Sequence, residues 1–451
     1  MKSINPYNQQ SLAEYEAFSD WKVQSIIVAS AKTYRTWKTT ELNDRVLLVK
    51  QLAANLRQQK TALAEMMTLE MGKIQKEAIA EIEKCAWLCE YYADHAFEFL
   101  AARHVQTEMF KSYVAYQPLG TVLAVMPWNF PFWQVFRAAV PALLAGNTML
   151  LKHASNVFGS ALLIEQLFMD SGFPKGVFSV LLIGAKKVEQ VLKADSVVGV
   201  ALTGSEFAGA SVAALAGKNI KRQVLELGGS DAFIVMDDAD LAKAADVAVA
   251  SRMLNAGQSC IASKRFFVHE KVQESFMDEV LKRIQKLKLD NPLSENTNIG
   301  PMARMDLADE LSEQLKKGLA QGASVVYGGE RDRCLFEPTL LYLPTADNIL
   351  AKEETFGPLM PVMPFSTEKE AIQMANNSRF GLGGSVWTRD LKKGEAMALQ
   401  IEAGAVFVNG MVRSDPRLPF GGIKDSGYGR ELSQEGILEF VNTKTVVVER
   451  N

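Results

Sequence analysis

Residues 121–153 read TVLAVMPWNFPFWQVFRAAVPALLAGNTMLLKH, and this stretch determines the expected fold class. Two short apolar runs, 122–125 and 148–151, flank residues 134–144, which have the length and composition of a helix. A strand, a helix and a second strand in this order are typical of a crossover between parallel strands. The stretch therefore predicts a parallel sheet with helices packed against it.

The alternation of strands and helices continues along most of the chain. Predicted strands follow at 177–182, 198–203, 232–235 and 265–268, and predicted helices at 157–169, 186–193, 206–216, 241–250 and 271–287. Before them, residues 43–70 and 74–101 have apolar side chains at helical spacing, with Gly72 as the stop between them. A short helix and the β-branched strand 444–449 end the chain. The expected class is α/β, with a second α/β series from about residue 230 to 408.

The composition excludes several classes of protein. The 451 residues carry a formal net charge of −3, with 48% hydrophobic and 22% charged residues, as in globular proteins with two or three compact units. No basic excess indicates nucleic-acid binding, and the longest apolar stretch, 138–151, is interrupted and too short to cross a membrane. The polar residues 1–20 contain no apolar signal region, so we expect a cytoplasmic protein.

The four cysteines are too few for a disulfide framework in a chain of this length. Cys85 and Cys89 are four residues apart in a predicted helix, where two thiols could bind a metal, but no second pair of ligands follows. We therefore expect packing cysteines there and no metal site. Cys260 ends the sequence GQSC at 257–260, and on its own it is also more typical of packing than of a nucleophile.

Three other motifs follow predicted strand ends, where ligands bind in open α/β sheets. Glu226 begins the sequence ELGG; it could be a general base if burial raises its pKa, or only a capping or solvated carboxylate. Asn129, in PWNFP at 127–131, could donate to an oxyanion or belong to a rigid turn. The sequence TGSEFAG at 203–209 begins a helix whose N-terminus suits a phosphate, and Lys152 closes another strand.

Together these motifs resemble the aldehyde dehydrogenase superfamily, and the resemblance extends over essentially the whole chain. The matching sequences are PWNFP at 127–131, Lys152, TGS at 203–205, ELGG at 226–229, GQSC at 257–260, EETFGP at 353–358, and PFGGIK at 419–424 continued by SGYGRE at 426–431. Glu226 and Cys260 are 34 positions apart (260 − 226 = 34), which is the spacing usual in that superfamily. Seven motifs in register make the resemblance specific.

The resemblance implies an aldehyde dehydrogenase-like fold in three units. A Rossmann-type cofactor domain is expected at 1–100 and 119–226, with 409–431 returning to it, and an α/β catalytic domain at 227–408. A small β oligomerisation arm is expected at 101–118 and 432–451, because a bare terminal strand would leave an unpaired edge for another subunit. A homodimer or homotetramer is therefore predicted.

By the same resemblance, Cys260 is the nucleophile that attacks an aldehyde carbon, and Glu226 activates the water that hydrolyses the resulting thioester. Asn129 and the backbone N–H of Cys260 are expected to form the oxyanion hole, a contribution of roughly 3–4 kcal/mol per donor. Expected contacts of the nicotinamide cofactor are Trp128, Lys152, Ser155, Gly204, Ser205, Leu227, Glu354 and Phe356.

One departure from the family pattern bears on cofactor choice. Many NAD-preferring members carry a glutamate three residues after the strand-end lysine, whereas this chain reads Lys152-His153-Ala154-Ser155. A carboxylate would repel the 2′-phosphate of NADP, while Ser155 can donate to it and Lys152 supplies positive charge. We predict that NADP is preferred and that NAD is also used.

Arg137 indicates the substrate. It lies four residues after Trp133, on one face of a predicted helix and among apolar residues, although an arbitrary arginine would be a surface or salt-bridging residue. A guanidinium there could bind a distal carboxylate in bidentate fashion. The position matches an arginine of succinate semialdehyde dehydrogenases, and residues 409–418 resemble a bacterial branch of that group. The predicted substrate is succinate semialdehyde, bound by Arg137, Trp133 and Ser414.

Alternatives remain at this point. A broad-specificity or glutarate-semialdehyde dehydrogenase would share the same chemistry. A non-catalytic nucleotide-binding structural protein would be expected to have lost Asn129, Glu226 and Cys260 first. A thiol esterase would leave Lys152, Ser155 and Glu354 unexplained. Where some members of the group have a second cysteine able to form a regulatory disulfide, this chain has Ala262.

Overall fold

The computed structural model describes residues 1–450, and its N-terminal part is a hairpin followed by three helices and two strands. These elements are β1 (Lys2–Ile4), β2 (Ser11–Glu14), α1 (Asp20–Trp37), α2 (Leu42–Met71), α3 (Gln75–Phe99), β3 (Arg103–His104) and β4 (Lys111–Pro118). α2 ends at Gly72, which takes the left-handed conformation (φ 80°) that suits glycine at a helix end. The β1–β2 hairpin was not predicted, because strands of three and four residues carry little periodic signal.

The first large sheet follows the predicted alternation. Its elements are β5 (Thr121–Met126), α4 (Trp133–Leu144), β6 (Thr148–His153), α5 (Phe158–Asp170), β7 (Phe178–Val180), α6 (Val188–Leu192), β8 (Val197–Thr203), α7 (Glu206–Lys218) and β9 (Arg222–Glu226). The five strands are parallel in the spatial order β9-β8-β5-β6-β7. The predicted helix 186–193 is instead a 3₁₀ turn, Ala185–Lys187, followed by α6.

Helices cover both faces of this sheet. On β5, Val122 and Ala124 pack with α2 to α5, whereas Leu123 packs on the opposite face with α1 and α6. Consecutive side chains of a strand point to opposite faces, so burial of both explains why the sequence is apolar throughout rather than alternating.

A second mixed sheet occupies the middle of the chain. Its region comprises β10 (Asp231–Val235), α8 (Leu241–Met253), β11 (Ser263–His269), α9 (Gln273–Ile284), α10 (Met305–Ala320), β12 (Ser324–Tyr327), β13 (Arg331–Asp332), β14 (Leu335–Phe336), β15 (Thr339–Tyr342), α11 (Ile349–Lys352), β16 (Leu359–Phe365), α12 (Glu368–Asn376), β17 (Phe380–Gly381), β18 (Gly383–Trp387), α13 (Leu391–Ala398) and β19 (Ala405–Val408). The seven-stranded sheet runs β12-β15-β16-β11-β10-β18-β19, and only the β12–β15 pair is antiparallel. The predicted α/β class is confirmed.

The C-terminal part returns to earlier elements. It contains β20 (Ile423–Lys424), β21 (Gly427–Tyr428), α14 (Ser433–Leu438) and β22 (Val441–Val448). β21 pairs with β9, so Gly427 lies opposite Glu226. β22 pairs along its whole length with β4, in a three-stranded antiparallel sheet with β3.

The expectation of a bare terminal strand was therefore wrong. β4 already satisfies one edge of β22 inside the chain, and only the outer edge of β22 is open. Asn451, the last residue of the predicted arm, lies outside the described residues. Within residues 1–450, no helix has the length and apolar character needed to cross a bilayer.

Candidate active site

Two cavities meet at Cys260. The larger cavity, of about 520 Å³, lies at the carboxyl ends of β5, β8 and β9. The smaller cavity, of about 190 Å³, lies between α3, α4 and the segment 411–414. Cys260 contributes to the wall of both cavities. Cys260 is therefore the residue at which the walls of the two cavities join.

A strained turn delivers Cys260 to this position. Asn255 and Ala256 have φ values of 54° and 53°, which are unusual for residues other than glycine. Such a strained backbone persists only where contacts with the surrounding structure stabilise it. The Asn255 Nδ2 donates to the carbonyl oxygens of Asn129 (2.8 Å) and Gln258 (3.1 Å). The turn is thereby tied to the loop that carries Asn129.

Lys264 anchors the loop that carries Cys260 from the other side. Its Nζ donates to the carbonyl oxygens of Ser259 (2.8 Å) and Cys260 (2.7 Å), and it forms an ion pair with Glu354 at 3.1 Å. The side chain is completely buried. Sequence reasoning missed this residue, although the available signal was two adjacent cations, Lys264 and Arg265, directly before the apolar residues 266–268 of a strand.

The Cys260 thiol is poorly ionised in this environment. Burial raises its pKa to about 11, and the positive charges of Arg137 and Lys264 offset only part of that rise. Asn129 is buried, and its Nδ2 donates to the Gln258 carbonyl at 3.1 Å. Since a side-chain amide has two N–H groups, one donor remains for a ligand near Cys260.

Glu226 is an isolated buried carboxyl group. It ends β9 with 2% of its surface exposed, and neither carboxylate oxygen has a hydrogen-bond partner within residues 1–450. Burial raises its pKa well above the usual value, Arg137 opposes that rise and Glu431 adds to it. Glu226 is on the wall of neither cavity, but its charge contributes to the raised pKa of Cys260. A buried carboxyl group with a raised pKa is the kind of group from which general bases are made.

The larger cavity has the features of a dinucleotide site. Predicted cofactor contacts on its wall are Trp128, Gly204, Ser205, Leu227, Glu354 and Phe356. Ser205 caps the N-terminus of α7, where backbone N–H groups attract a phosphate. Within residues 1–450 the buried Thr203 Oγ1 has no hydrogen-bond partner, and a Cβ at Gly228 would lie 2.5 Å from the Glu354 carboxylate. These residues fit a nicotinamide dinucleotide.

Lys152 and Ser155 lie apart from that wall. Lys152 is on β6, the strand next to β5, and burial lowers its pKa. Ser155 begins a short 3₁₀ helix and is exposed. Glu354 is directed at Lys264 and also accepts from the Gly229 N–H at 3.0 Å, so its carboxylate is already engaged.

The smaller cavity brings together the three residues predicted to bind substrate. Trp133, Arg137 and Ser414 all lie on its wall. Arg137 is 1% exposed and forms an ion pair with Glu431, so the salt-bridging role that is usual for an arginine is present here beside any role in binding a ligand. Its Nη2 is nevertheless buried without a hydrogen-bond partner within residues 1–450.

Lys84 of α3 is the residue at this cavity that sequence reasoning missed. Its Nζ donates to the Ser414 Oγ at 2.8 Å, and the same oxygen accepts from the Trp133 Nε1 at 3.1 Å. Nothing local in the sequence marks Lys84, because lysine is common on helix surfaces and α3 is 25 residues long.

The chain belongs to the aldehyde dehydrogenase family: the family model described as "Aldehyde dehydrogenase family" matches residues 1–446. A protein of Synechocystis sp. named "Probable succinate-semialdehyde dehydrogenase (NADP(+))" is 47% identical over 447 residues, covering 98% of each chain. "Succinate semialdehyde dehydrogenase (NAD(P)+) Sad" of Escherichia coli K12 is 42% identical, covering 99% of this chain and 98% of the other.

Solved structures agree with this assignment. The crystal structure of succinic semialdehyde dehydrogenase from Streptococcus pyogenes in complex with NADP+ superposes with a TM-score of 0.97. The two chains are 40% identical, and the match covers 100% of each. The aldehyde dehydrogenase-like fold predicted from the sequence is confirmed.

Proposed function

We propose that this protein oxidises succinate semialdehyde to succinate, with NADP as the preferred cofactor and NAD as a second one. The observation that carries the proposal is the position of Cys260 between two cavities. One cavity fits a dinucleotide, and the other is lined by Arg137, whose Nη2 has no hydrogen-bond partner within residues 1–450. The names of the Synechocystis, E. coli and S. pyogenes relatives support the substrate and the cofactor.

In the first half-reaction the Cys260 Sγ, as thiolate, attacks the aldehyde carbon and forms a C–S bond. The carbonyl oxygen becomes an oxyanion that accepts from the free N–H of the Asn129 amide and from the Cys260 backbone N–H. A nicotinamide cofactor held by the residues of the larger cavity would supply a hydride acceptor, with which the adduct on Cys260 would be oxidised to a thioester. Because the thiol has a pKa of about 11, ionisation of Cys260 is part of the cost of this step.

In the second half-reaction Glu226 acts on water. Its carboxylate removes a proton from a water molecule whose oxygen attacks the thioester carbon. The C–S bond then breaks, Cys260 leaves as a thiolate, and succinate carries the new oxygen. The buried, unpartnered state of Glu226 supports this role, because such a carboxylate is a stronger base than one in water.

The direct test is steady-state kinetics of the wild-type enzyme, followed by NADPH absorbance, with succinate semialdehyde, glutarate semialdehyde and pentanal. The highest kcat/KM is expected with succinate semialdehyde. Equal kcat/KM for pentanal would contradict the proposed substrate and support a broad-specificity enzyme, and no turnover with any aldehyde would support the non-catalytic alternative.

Cofactor choice gives a separate prediction at Ser155. The wild type should have a higher kcat/KM for NADP than for NAD. Ser155→Glu should lower the ratio of these two kcat/KM values by about 100-fold and so make NAD the preferred cofactor, because the new carboxylate repels the 2′-phosphate. Kinetics with both cofactors measure the effect, and Ser155→Ala controls for loss of the hydroxyl. A wild type that prefers NAD would contradict the prediction.

Arg137→Met should raise KM for succinate semialdehyde by about 100-fold, with a much smaller change for pentanal, because a charge-assisted contact to the carboxylate is lost. The substitution also leaves Glu431 buried without its cation, at a cost of roughly 3–5 kcal/mol in stability. The double variant Arg137→Met/Glu431→Gln removes that unpaired charge, so it separates substrate binding from folding. Equal KM effects on both aldehydes would contradict the assignment.

The domain boundaries, the assembly and the compartment stay proposals. We assign 1–100, 119–226 and 409–431 to a cofactor domain and 227–408 to a catalytic domain, with 101–118 and 432–450 as an arm. The open outer edge of β22 supports a homodimer or homotetramer formed through this arm. Light scattering would measure the assembly. The cytoplasmic location rests on the sequence alone.

A further inference from the structure

Lys84 faces the smaller cavity with an uncompensated charge. Its Nζ donates to the Ser414 Oγ at 2.8 Å and lies 4.2 Å from the centroid of the Trp133 ring. Within residues 1–450, no carboxylate forms an ion pair with this ammonium group. Lys84 therefore contacts the two residues that flank Arg137 in the proposed substrate site.

The other buried cations near this cavity are already paired. Arg137 is paired with Glu431, and Lys73 is paired with Glu81 at the start of the same helix. Glu81 also accepts the backbone N–H groups of Phe132 and Trp133, both at 2.9 Å, so it is not available to Lys84. Arg413 also lines this cavity but is exposed to solvent, so Lys84 is the only cation on this wall that is withdrawn from solvent and has no ion pair within residues 1–450.

We propose that Lys84 is a cationic ligand of the substrate's distal carboxylate, acting together with the Nη2 of Arg137 and the Oγ of Ser414. This inference rests on the proposed function and names a further specificity-determining residue for it. A carboxylate between the two cations would accept hydrogen bonds from Lys84 and Arg137 and would supply the negative charge that Lys84 lacks. A neutral aldehyde of the same length would leave that charge unpaired.

The titration of Lys84 gives this role a pH signature. Burial and, to a lesser extent, the positive charge of Arg137 on α4 lower the pKa of Lys84 to about 8, although Cys85, Glu81 and Asp415 act in the opposite direction. A carboxylate binds the ammonium form, so the selectivity that Lys84 contributes is fully present only well below pH 8 and is lost as the pH rises through that value. The ratio of kcat/KM for succinate semialdehyde to that for pentanal isolates this effect, because Cys260 and Glu226 serve both aldehydes.

Lys84→Met, which keeps the length of the side chain and removes its charge, should lower this selectivity ratio by about 30-fold at pH 7. The wild-type ratio should fall as the pH is raised from about 7 to 9.5, and the Lys84→Met ratio should be flat. Lys84→Arg, whose charge persists over that range, should keep a high and flat ratio. Inhibition by succinate against pentanal gives a second readout, with a Ki about 30-fold higher in Lys84→Met.

Lys76→Met is the matched control, because Lys76 lies on the same helix and is exposed to solvent; its selectivity ratio should equal that of the wild type. A Lys84→Met ratio within twofold of the wild type would overturn the role of Lys84, as would a wild-type ratio that does not change with pH. A wild type without preference for succinate semialdehyde would instead overturn the proposed function.

Discussion

Cys260→Ala is expected to lower kcat with any aldehyde by at least about 10⁴-fold, the largest effect of any single substitution in this chain. Without the sulfur no covalent adduct forms, so there is no oxyanion for the hydrogen-bond donors to stabilise and no adduct that could transfer a hydride. The measurement is NADPH formation at enzyme concentrations high enough to detect a single turnover. The binding of NADP, followed by protein fluorescence, should persist.

Cys334→Ala is the matched control for this substitution. Cys334 is a buried free thiol that lines neither cavity, and its Sγ accepts a weak hydrogen bond from the Gln9 Nε2 at 3.4 Å. Its replacement should leave kcat within about twofold and cost on the order of 1 kcal/mol in stability. Equal loss of activity in both variants would contradict the assignment of Cys260.

Glu226→Gln should produce the second largest effect, a fall in steady-state kcat of about 10³-fold. The amide has nearly the shape of the carboxyl group but cannot remove a proton from water, so hydrolysis of the thioester stops while its formation continues. Rapid mixing with NADP should therefore show a burst of NADPH, one per active site, followed by a very slow phase. Loss of the burst would indicate that Glu226 acts before the thioester.

The pH dependence of the slow step supplies an independent check. Burial raises the pKa of Glu226 well above its ordinary value, so the basic carboxylate is less populated at low pH and its population increases as the pH rises. Hydrolysis in the wild type should accelerate with pH in the range where Glu226 loses its proton. In Glu226→Gln this dependence should be absent.

Much of the fold could be predicted from local pattern. β5, α4 and β6 agree with the predicted runs to within two residues, because strands buried on both faces must be continuously apolar and the helix between them must cover one face. The end of α2 at Gly72 was also predicted from the sequence. The short hairpin β1–β2 was not, since its few residues are held by the rest of the molecule rather than by their own pattern.

For the candidate site, the sequence and the tertiary structure each determine a different part. The sequence by itself determined which reactive groups the protein has: a thiol, a carboxyl group and an amide in Cys260, Glu226 and Asn129, each within a recognisable motif. Such motifs are local, because backbone conformation around a reactive group depends on adjacent residues.

Only the tertiary structure decided which charges are free to act. From the sequence, Arg137 could be available for a ligand, but in the fold it forms an ion pair with Glu431. Lys84 resembles a surface lysine in the sequence, but in the fold it donates a hydrogen bond to Ser414. Ion pairs and desolvation depend on residues hundreds of positions apart and on the exclusion of water, and neither is encoded in neighbouring letters of the sequence.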